Sequence, residues 1–305
     1  MMKGMKTIIS KVYEALKAEN IQRDVPLKTM TSFGIGGNAA LVYYPGSNEA
    51  LARALALVQE LDCPFHIMGN DSNVLAPDAG YPGLIICLKQ ARTPLIVEES
   101  GRVTADAGMH LKDLAAETVE RGFMGLEPLC GIPGTVGGAV AMNAGAYGTE
   151  ISEHLVELTI LENGAIRQVE TCASDFGFRK SRYSAPNTIV LSATFQLPRD
   201  NGTAKALMED CTKRRAAKQP LSYPSGGSVF KRPAGHYAGC LIEQCSLKGT
   251  RIGGAEVSMQ HAGFIINVDN ATEKDVLELI ALIQHRVHRE TGVRLERELK
   301  RLCEI

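Results

Sequence analysis

The chain has 305 residues, of which 45% are apolar and 22% charged, an ordinary globular composition. At roughly 150 residues per domain, this length favours about two domains. The 33 basic and 34 acidic residues give a net charge of −1, which argues against nucleic acid or an acidic membrane as the main partner.

The first part of the chain predicts mixed α and β structure. Residues 7–20 carry apolar side chains at helical spacing and predict a leading helix. Short apolar runs after Thr31 predict strands at 40–44, 64–68, 84–88, 95–98 and 103–107, with helices at 48–61 and 110–121. A hairpin turn at 99–101 breaks any strict strand-helix-strand alternation.

Residues 125–148 include seven glycines among 24 residues, which predicts a long loop without regular helix or strand. A structureless segment of this length inside a domain is usually functional.

The second part of the chain begins with a predicted hairpin, strands 155–161 and 165–169 around Asn163-Gly164, followed by a strand at 188–197. Residues 198–202 are turn-forming and predict a domain boundary. The remaining predicted elements are a helix at 204–218, a turn at 225–228, a helix at 235–245, a strand at 263–268 and a long helix. That helix opens with a Thr-x-x-Asp capping pattern at Thr272 and has an apolar face comprising Val276, Leu279, Ile280, Ile283 and Val287.

Charge and cysteine usage bear on ligand and compartment. Residues 199–305 carry 17 basic and 13 acidic side chains, an excess that suits an anionic small ligand but is also common as plain surface composition. The eight cysteines form no C-x-x-C pair and predict reduced, mostly buried thiols. With no signal-peptide pattern and no 18-residue apolar stretch, the sequence predicts a cytoplasmic protein that is not inserted in a membrane.

Three glycine-rich segments, 34–38, 69–73 and 131–138, lie next to predicted strands. Glycine lets backbone N–H groups approach a pyrophosphate closely, so the three together favour a nucleotide-type cofactor. Each one alone is more often a tight turn. None is the G-x-G-x-x-G fingerprint or the phosphate loop of ATPases, and the lack of tryptophan argues against binding of single-stranded nucleic acid.

In order, these segments read Thr-Ser-Phe-Gly-Ile-Gly-Gly-Asn (31–38), Gly-Asn-Asp-Ser-Asn-Val-Leu (69–75), Gly-Ile-Pro-Gly-Thr-Val-Gly-Gly-Ala (131–139) and Asn-Ala-Gly-Ala-Tyr-Gly (143–148). Together they closely resemble the UDP-N-acetylenolpyruvoylglucosamine reductases, flavoproteins of peptidoglycan synthesis. The resemblance continues at 176–183, 215–220, 224–231, 242–249 and 295–299 and covers about residues 24–302.

This resemblance implies an α+β fold with a two-part FAD-binding domain of the vanillyl-alcohol-oxidase type and a smaller α+β substrate-binding domain. The implied ranges are an N-terminal helix at 1–23, an FAD domain at 24–198 with lobes at about 24–90 and 91–198, and a substrate domain at 199–305. It also implies non-covalent FAD, NADPH as co-substrate and UDP-N-acetylenolpyruvoylglucosamine as substrate. The expected protein is a monomer without a metal, with a role in cell wall synthesis, cell shape and division.

The resemblance assigns three catalytic residues. Arg179 would pair with the substrate carboxylate, and this pairing grows stronger as enolate charge develops. Ser228 would donate a proton to the α-carbon, and Glu298 would stabilise or protonate the enolate. The residues alone, without the resemblance, favour a surface role for Arg179 and a turn role for Ser228. Glu296 stands two positions before Glu298, and in a strand the two would share a face.

Cofactor and substrate contacts follow from the same match. The FAD-binding residues are Gly36, Gly37, Gly69, Asn70, Asp71, Ser72, Asn73, Gly131, Ile132, Pro133, Gly134, Gly137, Gly138, Asn143, Gly145, Ala146 and, for the flavin ring, Arg215. The UDP portion would contact Lys231, Lys248 and His261, although single basic residues usually form solvated surface.

Two departures and two alternatives remain open. Family members often have more glycine at 69–73, whereas this chain places an acidic Asp71 near the expected diphosphate. The chain also lacks the inserted tyrosine-bearing loop of longer members, which suggests the shorter, second structural type. A flavin oxidase with a similar FAD domain, or a non-catalytic protein that binds a nucleotide sugar, are the competing functions.

Overall fold

The computed structural model describes residues 2–90 and 92–304 and has the mixed helix and strand content predicted from the sequence. The helices are α1 (Met2–Leu16), α2 (Asn48–Glu60), α3 (Leu111–Glu120), α4 (Val136–Met142), α5 (Ala204–Lys218), α6 (Ala238–Gln244) and α7 (Glu273–Thr291).

The strands range from two-residue ladders to a nine-residue central strand. They are β1 (Ile21–Pro26), β2 (Asn38–Tyr43), β3 (Phe65–Met68), β4 (Val74–Leu75), β5 (Tyr81–Cys87), β6 (Ile96–Val97), β7 (Arg102–Asp106), β8 (Gly145–Ala146), β9 (Thr149–Glu150), β10 (Leu155–Glu162), β11 (Ala165–Glu170), β12 (Phe176–Gly177), β13 (Lys180–Ser181), β14 (Thr188–Gln196), β15 (Ser225–Ser228), β16 (Arg251–Ile252), β17 (Ala255–Val257), β18 (Phe264–Asn267) and β19 (Lys300–Arg301). One four-stranded sheet has the order β1-β2-β5-β3, with β3 parallel to β5.

The chain divides into two compact units, each assembled from three segments. The first unit comprises Met1–Gln22, Val42–Asn70 and Leu84–Arg215, and the second comprises Arg23–Leu41, Asp71–Gly83 and Ala216–Ile305. These units do not follow the predicted contiguous ranges, because they reflect contacts in space and not chain order. The functional boundary near residue 198 stays a prediction.

In the first unit, a five-stranded sheet of order β11-β10-β14-β7-β6 supports helices α3 and α4. Its central strand β14 pairs antiparallel with both β10 and β7. The buried core of the unit contains Leu111, Leu114, Val136, Val140, Leu158 and Phe195. Burial of these apolar side chains fixes α4 against the sheet.

In the second unit, a sheet of order β15-β18-β17-β16 accompanies helices α6 and α7. Thr272 Oγ1 accepts a hydrogen bond from Asp275 N (3.1 Å), and Asp275 Oδ2 accepts one from Thr272 N (2.9 Å). This reciprocal capping box confirms the predicted start of α7. The predicted apolar face, from Val276 to Val287, is buried in the core of the unit.

Two local predictions are wrong. The glycine-rich segment contains helix α4, because Thr135 caps its start and Asn143 (φ +43°) ends it in the left-handed region. Residues 225–228 form strand β15 and not a free turn. The ladder between β15 and β18 is irregular. Gly227 lies in this strand with φ +76°, a left-handed conformation that is unfavourable for residues with a side chain.

All eight cysteines are free thiols, but only half are buried, namely Cys63, Cys87, Cys211 and Cys245. Cys172, Cys240 and Cys303 are exposed, so the prediction of mostly buried thiols is only partly confirmed. Among the described residues, no helix combines the length and apolar character needed to cross a membrane.

Thr272→Ala removes one half of the capping box and leaves the N–H of Asp275 without its side-chain acceptor. We expect the free energy of unfolding, measured by urea titration, to fall by about 1 kcal/mol. The matched control is Thr212→Ala, which removes an exposed hydroxyl bonded to Met208 O within α5. An equal loss in both variants would contradict a specific capping role.

Candidate active site

In the first unit, the loop after β3 packs against the start of α4. A Cβ atom at Gly69 would lie 2.6 Å from Thr135 Oγ1, a distance that excludes any side chain there. Thr135 Oγ1 also accepts a hydrogen bond from Gly138 N at 3.4 Å. The side chain of Asn70 donates to Pro133 O at 2.6 Å. Two of the predicted cofactor loops are therefore held together by direct contacts.

Arg215 lies beside the second of these loops. A Cβ atom at Gly131 would lie 2.5 Å from Arg215 Cδ, so the arginine occupies the space a side chain would fill. Burial lowers the pKa of Arg215. No carboxylate of the described residues forms an ion pair with it. A half-buried cation of this kind suits a ligand that offers hydrogen-bond acceptors or negative charge.

The glycines of α4 have a packing role as well. Gly137 N donates to Ala107 O at 2.8 Å, and a Cβ atom at Gly137 would lie 2.9 Å from the Cβ of Ala107. Glycine is thus required by the close approach of α4 to the end of β7. The N–H of Gly137 is already bonded within the protein, so this residue can favour a cofactor only by leaving room for it.

Arg179 is carried on the two-residue turn of the β12-β13 hairpin. Its φ of +57° lies in the left-handed region, which is uncommon for a residue with a side chain. Arg179 Nη1 donates to Gly145 O at 3.2 Å. The buried side chain of Asn143 donates to Gly177 O (3.3 Å) and to Glu150 Oε2 (2.7 Å). Predicted catalytic and cofactor residues therefore meet at the carboxyl end of α4.

In the second unit, Gly36 and Gly37 pack against the turn at residues 76–80. Cβ atoms at these positions would lie 2.6 Å from Ala76 Cβ and 2.3 Å from Asp78 O, respectively. Gly37 N donates to Pro77 O at 3.0 Å and is not available to a phosphate. This packing accounts for both glycines without a ligand, and their predicted contact with FAD stays a prediction.

Ser228 and Glu298 lie on neighbouring backbone segments of the second unit. Phe230 and Arg297 form an antiparallel bridge, and Glu298 N donates to Val229 O at 2.8 Å. Ser228 is exposed, and its hydroxyl forms no hydrogen bond to another described residue. The pairing brings the two predicted catalytic residues of this unit together.

The loop at 71–73 joins the same region. Asn73 Nδ2 donates to Glu298 O at 3.3 Å, and Lys300 N donates to Asn73 O at 3.0 Å. The backbone of Asp71 is left-handed (φ +41°), a conformation that glycine adopts without strain. Aspartate tolerates this conformation better than most residues, so the departure is compatible with the loop.

The three residues predicted to contact UDP each interact with a polar group of the protein. The Lys231 ammonium forms an ion pair with Glu296, and Lys248 Nζ lies 2.6 Å from Glu243 Oε1. Glu296 is thus engaged with Lys231, and the choice of Glu298 as the catalytic glutamate stays a prediction. Both ion pairs are at least partly exposed and contribute little to stability.

His261 is the most constrained of these three residues. Gly263 N donates to His261 Nδ1 at 3.0 Å, and the ring packs edge-on against Phe264 with centroids 4.9 Å apart. Burial lowers the pKa of His261, and nearby Lys248 lowers it further. With Nδ1 acting as acceptor, the neutral ring carries its proton on Nε2, which can donate to a ligand oxygen.

Comparison with known proteins covers both parts of the chain. Residues 39–169 match the FAD binding domain family, and residues 219–302 match the C-terminal domain of UDP-N-acetylenolpyruvoylglucosamine reductase. A protein named UDP-N-acetylenolpyruvoylglucosamine reductase from Geobacillus thermodenitrificans is 42% identical, covering 96% of this chain and 98% of its own. The chain belongs to the UDP-N-acetylenolpyruvoylglucosamine reductase family.

Further relatives agree with this membership. A reductase of the same name from Levilactobacillus brevis is 43% identical over 96% of both chains. The crystal structure of UDP-N-acetylenolpyruvylglucosamine reductase from Thermus caldophilus aligns with a TM-score of 0.77 at 33% identity, covering 92% of this chain and 98% of that one. The predicted fold, an FAD-binding domain followed by a smaller C-terminal domain, is confirmed.

The structure groups the predicted site residues within each unit. The first unit holds Gly69, Asn70, the residues of 131–146, Arg179 and Arg215, and the second holds Gly36, Gly37, the residues of 71–73, Ser228, Lys231, Lys248, His261 and Glu298. Their individual roles stay predictions. Sequence reasoning missed Thr135, whose hydroxyl contacts the first loop and caps α4. A threonine just before a helix is an N-cap signal, but the surrounding glycines predicted a loop instead.

Gly131→Ala tests the packing of Arg215. We expect the added methyl to displace the arginine side chain and to weaken FAD binding at least tenfold, measured by fluorescence titration of the apoprotein. Gly46→Ala is the control, because a Cβ there meets no atom within 4 Å and the backbone needs no positive φ. Unchanged FAD affinity in Gly131→Ala would contradict the proposed place of Arg215.

His261→Gln tests the partly buried imidazole. Because burial lowers the pKa of His261, its unfolded form binds a proton more readily, and stability is lost as pH falls below about 6.5. We expect the variant to lose less stability than the parent protein between pH 7.5 and 5, measured by urea unfolding. His285→Gln, on the exposed face of α7, should keep the parental pH dependence.

Proposed function

We propose that the protein reduces UDP-N-acetylenolpyruvoylglucosamine to UDP-N-acetylmuramate with NADPH. The observation that supports this most directly is the backbone pairing that places Ser228 beside Glu298, in a chain of this reductase family. Such a pair offers a hydroxyl donor and a carboxyl group at one place. A protein that only binds a nucleotide sugar needs neither.

The residues of the first unit suit FAD. Protein atoms fill the space where a Cβ would lie at Gly69, Gly131 and Gly137, so the predicted cofactor loops pack closely together, and Arg215 is a half-buried cation without an ion-pair partner among the described residues. Asn143 Oδ1 is also buried and accepts no hydrogen bond from any described residue. When bound, FAD supplies hydride transfer between NADPH and the enolpyruvyl double bond.

Arg179 would bind the carboxylate of the enolpyruvyl group. A guanidinium can form two parallel hydrogen bonds with a carboxylate, and the interaction strengthens as negative charge builds on that group. Because the gain is larger in the transition state than in the ground state, this pairing accelerates the reaction and does more than bind the substrate.

Ser228 would then protonate the substrate α-carbon. Its hydroxyl is exposed and is not committed to a bond with another described side chain, so it is free to face a ligand. The carboxyl group of Glu298 would stabilise the enolate or supply a proton from the neighbouring segment. A serine is a weak acid in water, so its donation depends on fixed geometry about 3 Å from the carbon.

Lys231, Lys248 and His261 would contact the UDP portion. Each ammonium group pairs with a glutamate and would exchange that partner for a diphosphate oxygen, and the neutral ring of His261 can donate from Nε2. The basic excess of residues 199–305 supports this assignment.

We place the reaction in cytoplasmic peptidoglycan precursor synthesis, and through it in cell shape and division. The eight free thiols support a reducing compartment. Action as a monomer stays a prediction.

Ser228→Ala separates the two halves of the reaction. We expect NADPH to reduce the flavin at a nearly normal rate, while reoxidation by the UDP-enolpyruvyl sugar slows by about 100-fold or more, because the serine acts only on the proton that completes the product. Stopped-flow absorbance measures both steps, with Ser100→Ala on an exposed hairpin as control. Equal damage to both steps would contradict the proton-donor role, and a colourless protein that takes up no FAD would contradict the function itself.

A further inference from the structure

The β12-β13 hairpin holds Arg179 in a strained backbone conformation. In its register Phe176 pairs with Ser181 and Gly177 with Lys180, which leaves Phe178 and Arg179 as the turn. A left-handed backbone is unfavourable for a residue with a side chain and persists only where the surroundings impose it. The contacts that impose it here are therefore of functional interest.

Two buried side chains tie this hairpin to the carboxyl end of α4. Ser181 is 8% exposed, and its Oγ donates to Ala141 O at 3.0 Å. Asn143 is 1% exposed, and its Nδ2 donates to Gly177 O at 3.3 Å. The two bonds hold opposite strands of the hairpin, one on each side of the turn.

A third contact fixes the guanidinium itself. Arg179 Nη1 donates to Gly145 O, and Gly145 pairs with Glu150 across the β8-β9 ladder. The Glu150 carboxylate accepts the second hydrogen bond of Asn143 Nδ2, at 2.7 Å. Asn143 thus links the hairpin to the same ladder that receives the arginine.

Helix α4 connects these contacts to the cofactor loops. It spans seven residues, about 10 Å at 1.5 Å per residue, from the Thr135 cap to the Asn143 cap. Its amino end carries the contacts with the loop after β3, and its carboxyl end carries the hairpin. A rigid element of fixed length therefore sets the distance between the cofactor loops and Arg179.

We propose that Ser181 and Asn143 are positioning residues that hold the Arg179 guanidinium in place for the substrate carboxylate. This inference rests on the proposed function of Arg179. Neither residue need touch the substrate. Displacement of a binding group by about 1 Å can reduce the rate 100-fold, so loss of one anchor should affect the reaction more than it affects folding.

The first test is Ser181→Ala in the FAD-loaded enzyme. We expect kcat/KM for the UDP-enolpyruvyl sugar to fall about 10- to 100-fold, with unchanged FAD content and an unchanged rate of flavin reduction by NADPH. Ser181→Thr, which keeps a hydroxyl, should recover most of the activity. The matched control is Thr171→Val, which removes a hydroxyl bonded to Leu155 O (2.8 Å) elsewhere in the unit. Full activity in Ser181→Ala, or equal loss in the control, would overturn the proposal.

A double-mutant cycle tests whether the serine acts through the arginine. If it does, Ser181→Ala should cause no further loss in an Arg179→Ala background. A full additional loss in that background would overturn the positioning role. Asn143→Gly provides the second anchor variant, since glycine retains the left-handed backbone while removing the amide. It should show the same dependence on Arg179.

Hydrogen exchange of the hairpin gives a readout that does not depend on activity. Without substrate, amides of residues 176–181 should exchange faster in Ser181→Ala than in Thr171→Val. Unchanged exchange would overturn the anchoring role. A different result would separate the two proposals. If exchange is faster in Ser181→Ala but Arg179→Ala still reduces the sugar normally, Ser181 anchors the hairpin and the proposed function of Arg179 is refuted.

Discussion

Thr135 Oγ1 lies very close to the backbone of Gly69. A Cβ atom on residue 69 would be only 2.6 Å from this oxygen, so glycine fits best at that position. The same oxygen caps α4. One hydroxyl therefore determines both where the loop after β3 runs and where the helix begins. This contact therefore affects the path of the loop, the orientation of α4 and the position of the carboxyl end of the helix. In a closely packed interior, a shift in one element displaces the next.

The chemistry of the first unit follows from that arrangement. Gly131 leaves room for the half-buried side chain of Arg215, and Asn143 ends α4 beside the hairpin that carries Arg179. Arg179 is held on its left-handed turn by a hydrogen bond to Gly145 O, and Arg215 packs against the backbone of Gly131.

In the second unit, backbone pairing positions the predicted catalytic residues. Residues near the carboxyl end of the chain pair with the segment after β15, and this brings Glu298 and Ser228 together. Glu296 shows how selective the arrangement is. Only two residues away, it forms an ion pair with Lys231, whereas the backbone of Glu298 is bonded to Val229 and to Asn73.

Local sequence determined the elements whose signals are local. The start of α7 at Thr272, its apolar face, the hairpin at Asn163-Gly164 and helix α5 follow from capping, periodicity and turn chemistry that act within a few residues. Linked motifs along the chain also identified the family and nominated Arg179, Ser228 and Glu298. Tertiary structure alone decided that the glycine-rich segment contains α4, that Gly36 and Gly37 are packing positions, and that Ser181 and Asn143 anchor Arg179. Each of those outcomes depends on which distant segment packs against the residue in the folded chain. The number and spacing of glycines do not identify that segment.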